Sequence, residues 1–385
     1  MNFNLTQEQL LVQDSARTFL AAKAGLERLR AVLESGIGFD AQLWEDLAGE
    51  MGFTGLMIPT AFGGAGLGAA EMSLVLQETG RTLAVVPFFE TAVLAVQSIL
   101  LMANSNQQRA LLPDLAAGGI RATLAMTGPS GIPGPEGVAV ELQHSGASQW
   151  RLQGIADFVT FAHAADLLLV LARSPGTTGL AGLSLLALPA TTRGITIEML
   201  PTLDITRPYS RVLFEDVRIT QEAILGDPGA AGEKIERLLA IGAGLLAAEQ
   251  TGGAEFCLLS TVEYAKQRMQ FGRPIGSFQA VKHELADMMV AVEGAHSAAL
   301  YAATAIDQGS DELIEAAAVA RVWCTQTFQH CAAEAIQLHG GIGFTWEHHA
   351  HLYFKRARSS STWFGEPTLH REQIARLIGL EPPTA

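Results

Sequence analysis

Between Arg121 and Thr220 the chain changes texture, and that change limits the folds open to it. Apolar residues there come in short runs: Ala122 to Met126, Val138 to Leu142, Leu167 to Leu171, Leu183 to Leu188, Ile195 to Met199 and Arg211 to Phe214. Turn residues such as Gly128-Pro129 and Gly134-Pro135 part them, which predicts the strands of a small β-domain. On both sides the apolar residues recur at helical spacing. Thr6 and Gln9 form a capping-box pattern, and Asp40 is placed to cap a helix carrying Leu43, Trp44, Leu47 and Met51 that Gly52 ends. Met72, Leu74, Val75 and Leu76 mark a further helix, and after Pro87 another runs to about Ala103. A loop around Pro228 to Gly232 leads back into helices. One of these spans residues 311–339, with Ser310 as cap and Gly340 as terminator. The expected organisation is α+β: a helical domain over residues 1–118, a β-domain over 119–228 and a helical domain over 229–385.

At 385 residues the chain exceeds one ordinary core, and its 49% hydrophobic content suits helices buried on more than one face, as in an oligomer of bundles. The net charge of −14 argues against nucleic acid and means that a polyanionic ligand would need local basic residues. The apolar stretch Ala84 to Ala103 is interrupted by Pro87, Glu90 and Gln97, and Leu238 to Ala248 is about half of the ~20 residues a membrane span needs. The start MNFNLTQEQLL has no secretory pattern. Cys257, Cys324 and Cys331 are odd in number and off any metal spacing, so buried reduced thiols in a cytoplasmic protein are expected. The glycine run Gly63 to Gly68 has no strand-turn-helix around it and reads as a structural turn. His348, His349 and His351 lack the i, i+4 geometry of a helical metal pair; a solvated helix is expected there, and no metal site.

The stretch YAKQRMQFGRPIGSFQAVKHELADMM, Tyr264 to Met289, begins as a helix with Tyr264 and Arg268 on one face. It breaks at Phe271-Gly272-Arg273-Pro274, and a second helix follows with Val281, Leu285, Met288, Met289 and Val292 at helical spacing. Two helices joined by a loop with an arginine and an aromatic ring make a clamp for an anion and a ring. The competing reading is a surface arginine beside a core phenylalanine.

This stretch, with Gln337-Leu338-His339-Gly340-Gly341-Ile342-Gly343-Phe344, Phe62 to Gly68 and Leu213-Phe214-Glu215-Asp216-Val217, resembles the acyl-CoA dehydrogenase family, flavoproteins that desaturate acyl thioesters. The resemblance covers nearly the whole chain. It implies a helical N-terminal domain, a β-barrel-like middle domain and a C-terminal four-helix bundle. It also implies FAD as cofactor, an acyl-CoA substrate in lipid catabolism, and an electron-transfer flavoprotein as electron acceptor. Matched residue by residue, Met126 and Thr127 would lie at the flavin pyrimidine edge, and Phe158 and Thr160 near the dimethylbenzene face and N5. From a neighbouring subunit, Arg268 would meet the pyrophosphate, Phe271 would pack on the cofactor, and Gln337, Gly340 and Gly341 would line the adenosine side. Where the family has Thr-Glu-Pro-x-Ala-Gly-Ser-Asp, this chain has Thr127-Gly128-Pro129-Ser130-Gly131-Ile132-Pro133, without the glutamate and aspartate.

Desaturation needs a base for the α-proton. Relatives place a glutamate at the position that is Phe364 here, in Trp363-Phe364-Gly365-Glu366-Pro367-Thr368, or at the position that is Gly242. Neither can act. Glu366 could substitute through a slip of the loop, against the alternative of a solvated carboxylate at a helix start. Glu249, in Ala247-Ala248-Glu249-Gln250, lies about two turns beyond Gly242 and reads more readily as a buried interhelical glutamate. In a third reading this subunit lacks a base and pairs with one that has it. Leu200-Pro201-Thr202-Leu203-Asp204, the Glu249 segment and the ending with His370-Arg371 resemble bacterial acyl-CoA dehydrogenases of sterol side chains, often tetramers of unlike subunits. A Phe364 N–H could still polarise the thioester carbonyl. A related-fold flavin oxidase or monooxygenase is a further alternative. Lys355, Arg356, Arg358, Arg207 and Arg211 are candidates for coenzyme A phosphates or for plain basic faces.

Overall fold

The structure is a computed structural model that describes residues 5–146 and 149–380. The opening residues 1–4 of the start, and the last five residues of the expected C-terminal domain, lie outside the described residues. The helices are α1 (Gln7–Lys23), α2 (Leu26–Glu34), α3 (Ala41–Gly49), α4 (Ala69–Thr82), α5 (Val96–Met102), α6 (Ser105–Ala116), α7 (Gly232–Gln267), α8 (Gln279–Asp307), α9 (Leu313–His339), α10 (Ala350–Thr362) and α11 (Pro367–Leu377). Between α6 and α7 run β1 (Ala122–Ala125), β2 (Glu141–Gly146), β3 (Gln149–Thr160), β4 (Leu167–Arg173), β5 (Leu183–Pro189), β6 (Ile195–Leu200), β7 (Tyr209–Thr220) and β8 (Ile224–Leu225). By internal contacts the chain groups into two compact units, residues 32–68 with 85–242 and residues 1–31 with 69–84 and 243–385.

The first of these units contains a mixed sheet in the order β6-β7-β3-β2-β4-β5-β8, with β1 parallel to β4. Leu152, Ala156, Val170, Leu186, Val212 and Phe214 belong to its core. The strand runs read from the sequence recur here, except that Val138 to Val140 precede β2 and that β3 and β8 were not among them. The register of β3 against β7 shifts twice, between Leu152 and Gly154 and between Ala156 and Val159. The first bulge places its extra residue in β7 and the second in β3, where it resets the alternation of β3 at Asp157 and Phe158. Asp40 caps α3 as expected, its Oδ1 accepting the Leu43 N–H at 3.1 Å. The apolar segment after Pro87 opens as a buried π-helical stretch, Phe89–Ala95, before α5. The glycine run 63–68 is a turn: a side chain at Gly64 would collide with the backbone of Ile58.

In the other unit α1 and α8 pack against α4, and α9 packs against α8, α10 and α11. Glycines set the approach of α4 to the later part of α7. A Cβ at Gly80 would land on the carbonyl oxygen of Glu249, and one at Gly252 on that of Gln77. Only glycine permits backbones this close. Thr6 and Gln9 make the expected capping box of α1, and the Ser310 Oγ accepts the Glu312 N–H at 3.0 Å ahead of α9. Along α8, Met288 and Val292 are buried, but Met289 is 56% exposed, one position too far round the helix. All three cysteines are buried, and burial pushes the Cys324 thiol up to about 12. No described helix is long and apolar enough to cross a membrane.

Candidate active site

The expected site residues fall into two clusters, one in each unit. In the strand unit Met126 and Thr127 continue from β1, the first buried and the second half-buried. The Thr127 carbonyl accepts the Asp157 N–H at 2.7 Å, tying the end of β1 to the second bulge of β3. Phe158 sits in that bulge with φ +58°. A bulge re-aims a side chain, and here it leaves Phe158 47% exposed while Val159 and Thr160 stay buried. The Thr160 carbonyl accepts from Thr123 Oγ at 2.7 Å, which holds this end of β3 on β1. The turn that departs from the family pattern closes beside them. The Gly128 N–H bonds the Gly137 carbonyl at 2.8 Å, and a Cβ on Gly131 would lie 3.7 Å from the Phe158 ring. Met126, Thr127, Phe158 and Thr160 are thus brought together around a ring with an open face. Arg211 is engaged nearby, with Nε and Nη2 at 2.7 and 2.8 Å from the Asp157 carboxylate. Arg207 is buried 3.8 Å from Glu90.

The second cluster starts where α7 ends. Gln270 pairs with Arg273 and Met269 with Pro274, so the chain reverses through Phe271 and Gly272, at φ +51° and +78°. A two-residue hairpin turn with both φ positive matches the twist of its strands. Glycine adopts it freely; a phenylalanine there costs about 1–3 kcal/mol. The Phe271 ring is 91% exposed, edge-on to Phe278, over which the Arg273 guanidinium lies at 4.1 Å. Tyr264 stacks on His339 with centroids 4.3 Å apart, and its hydroxyl donates to the His339 carbonyl at 3.3 Å. That contact fastens the end of α7 to the end of α9, where Gly340 and Gly341 follow. A Cβ on either glycine would meet nothing within 4 Å. Exposed Arg268 and Gln337 flank the same corner. An unburied guanidinium for phosphate, a bare ring for stacking and open glycine backbone for close approach fit the dinucleotide end of FAD, and the Phe158 cluster fits its ring system.

His348, His349 and His351 depart from the solvated helix expected of them: the first two are half-buried ahead of α10, and His351 is buried within it. The rings of His339, His348 and His349 succeed one another at 4.4 Å, and His349 meets Phe256 edge-on. Burial, then neighbouring positive charge, brings His348 and His349 down to about 4, so both are neutral at pH 7. Among the described residues one trio has metal-capable atoms within 4.8 Å of one another: Glu284, His330 and Glu334. It lies outside both clusters, and His330 Nε2 stands 3.6 Å from Glu284 Oε1.

Of the positions considered for a base, Gly242 is buried within α7 and offers no side chain. Glu249 is 5% exposed and accepts from Nη1 of the buried Arg356 at 2.9 Å, so the interhelical reading holds and Arg356 is not a surface cation. Lys355 lies over the Trp346 ring and Arg358 over that of Phe354. Phe364 occupies the turn between α10 and α11 at φ +60°, followed by Gly365 at +99°. Glu366 is exposed at the N-terminus of α11, ahead of Pro367, with no capping bond from its side chain.

Arg321 escaped the sequence reading. It is fully buried on α9 beneath this turn, donating to Gln250 Oε1 at 2.6 Å and to the carbonyls of Ser360 and Trp363 at 3.1 and 2.8 Å. The available signal was a lone cation in the apolar run AAAVARVWC. His370 Nε2 meets the Phe364 carbonyl at 3.1 Å. Burial, with Arg321 beside it, brings His370 down to about 4.

A family model described as acyl-CoA dehydrogenase, N-terminal domain, matches residues 6–119, and one described as acyl-CoA dehydrogenase, C-terminal domain, matches residues 233–379. The chain is 34% identical to the acyl-CoA dehydrogenase IpdE2 of Mycobacterium tuberculosis over 371 residues, 96% of each protein. It is similar to the solved ChsE4-ChsE5 complex of the same organism, with a TM-score of 0.89 and 27% identity over 99% of this chain and 100% of that one. It is also similar to PigA solved with FAD and proline, with a TM-score of 0.90 and 26% identity over 99% and 100% of the two chains.

Proposed function

From its membership of the acyl-CoA dehydrogenase family, to which this chain belongs, we propose that the protein oxidises an acyl-CoA thioester at its α,β bond. The proposal includes FAD as cofactor and an electron-transfer flavoprotein as electron acceptor. The observation that carries it is the corner made by Arg268, Phe271, Gln337, Gly340 and Gly341, whose exposed cation, exposed ring and open backbone suit a dinucleotide. On this reading the corner grips the adenosine and pyrophosphate of a cofactor bound to a neighbouring protomer. Met126, Thr127, Phe158 and Thr160 hold the flavin ring of their own chain. The bound flavin supplies a hydride acceptor for the β-carbon.

The chain's own residues have the α-proton to manage. Glu366 is the carboxylate assigned to that role: it is exposed and two residues beyond Phe364. A second reading keeps a specific support. Phe364 and Gly242 bring no carboxylate and Glu249 is committed to Arg356, as in a base-lacking subunit of an unlike-subunit enzyme. The three-way division at residues 118 and 228 and a cytoplasmic setting, suited to three buried thiols, belong to the same proposal.

The test is to purify the chain alone and with a co-expressed related subunit. Bound flavin is measured first, then reduction of an electron-transfer flavoprotein by a panel of acyl-CoAs. Flavin retention with turnover by the chain alone supports the first reading. Turnover only with the second subunit supports the partner reading. Reoxidation faster by oxygen than by the electron-transfer flavoprotein would reject both in favour of an oxidase.

A further inference from the structure

Side-chain bonds fix how α9 faces α8. Thr327 Oγ1 on α9 donates to the Ala291 carbonyl on α8 at 3.4 Å, and Cys324 Sγ donates to the Ala295 carbonyl at 3.4 Å. The two helices run in opposite directions. About two turns beyond these bonds, toward the end of α9 and the start of α8, Glu334 therefore comes opposite Glu284. His330 lies one turn before Glu334 and shares its face of α9.

One ligand-capable atom from each of Glu284, His330 and Glu334 lies within 4.8 Å of the other two. The two carboxylates repel each other across this gap, on a chain whose net charge is already −14. His330 Nε2 stands 3.6 Å from Glu284 Oε1, beyond the roughly 2.7–3.2 Å of an N–H···O hydrogen bond. The spacing is that of two ligands on one ion. In a tetrahedral site with bonds of about 2.0–2.2 Å, neighbouring ligand atoms stand roughly 3.3–3.6 Å apart. All three residues are half-buried, which leaves the third ligand atom room to rotate inward and leaves water access as a fourth ligand. The donor set also selects the ion. An imidazole nitrogen suits zinc and its first-row neighbours, whereas magnesium and calcium take oxygen shells.

We propose that Glu284, His330 and Glu334 form a binding site for a divalent cation of the zinc class. The ion fastens the start of α8 to the end of α9, one turn ahead of Gln337. The site stands apart from the desaturation chemistry and does not depend on it.

The experiment titrates zinc chloride by calorimetry into the protein purified with its flavin, and with any subunit that accompanies it, after dialysis against EDTA. The wild type should take up one zinc per copy of this chain at micromolar concentration, and millimolar magnesium should not compete. His330→Ala should weaken that uptake by at least about tenfold, since loss of even an outer partner of a metal ligand costs about 10–100-fold. Glu284→Gln should weaken it likewise, and it decides the matter if His330→Ala does not fold. His283→Ala removes the adjacent exposed imidazole of α8 and should change nothing. Zinc should raise the Tm of the wild type but not of His330→Ala, because the ion binds only where α8 and α9 are folded together. A wild type that takes up no zinc at micromolar concentration would overturn the site. So would full affinity in the folded His330 and Glu284 variants, equal loss in His283→Ala, or displacement of zinc by magnesium.

Discussion

Replacing Glu249 with glutamine separates structure from chemistry at the one buried carboxylate that the sequence offered as a base. Glu249 and Arg356 are 5% and 2% exposed, with Arg356 Nη1 2.9 Å from Glu249 Oε1. Breaking a buried pair by neutralising one partner costs about 3–5 kcal/mol, because the other charge stays buried. Glutamine keeps an acceptor oxygen for Arg356, so the lower end, about 3 kcal/mol, is expected. In a cooperative unit of roughly 150–250 residues this lowers Tm by roughly 6–12 °C. The assay is thermal unfolding by circular dichroism of Glu249→Gln, Arg356→Met and the double variant. The double variant should recover most of the loss, since an apolar side chain replaces the stranded cation. Turnover per folded molecule should fall less for Glu249→Gln than for Glu366→Gln. A Glu249→Gln protein that melts with the wild type but no longer turns over would refute the reasoning and return Glu249 to the chemistry.

Glu366→Gln should lower acyl-CoA oxidation by roughly 10²–10⁴-fold, the usual contribution of a general base; an unchanged rate assigns the proton to another subunit. Phe271→Ala should leave Tm within about 0.5 kcal/mol equivalent, because its ring is 91% exposed, yet lower the flavin retained after gel filtration. Stability should fall with acid between pH 6.5 and 4. His348, His349 and His370 take a proton near 6.5 when unfolded but near 4 when folded, so the unfolded state binds more protons in that window. The stabilisation is whole above pH 6.5 and declines by at most about 1.4 kcal/mol per pH unit for each group, less for the half-buried His348 and His349. A Tm that is flat from pH 7 to 5 would contradict it.

The helix, strand, helix order was legible because caps and turns act locally: Asp40, Gly52 and Gly340 do in the structure what their chemistry suggests, whereas Glu312 and not Ser310 stands at the N-cap of α9. The hairpin after α7 was legible because a helix followed by Phe-Gly-Arg-Pro can hardly avoid one. What stayed hidden depends on partners far along the chain. The strand β3 changes its alternation at a bulge that exists only against β7. Arg321 and Arg356 look like surface cations until Gln250, Trp363 and Glu249 are folded around them. The histidines 348 and 349 look solvated until Phe256 and His339 close on them.

Phe158, Phe271 and Phe364 share a left-handed backbone that glycine would adopt at ease. Selection for heat tolerance alone would therefore find glycine attractive at Phe271, where almost no apolar contact would be forfeited. A lineage that shed its ligand should drift toward glycine at this position first. In a culture evolved under heat without demand for the reaction, the residue at 271 would serve as an early record of lost function.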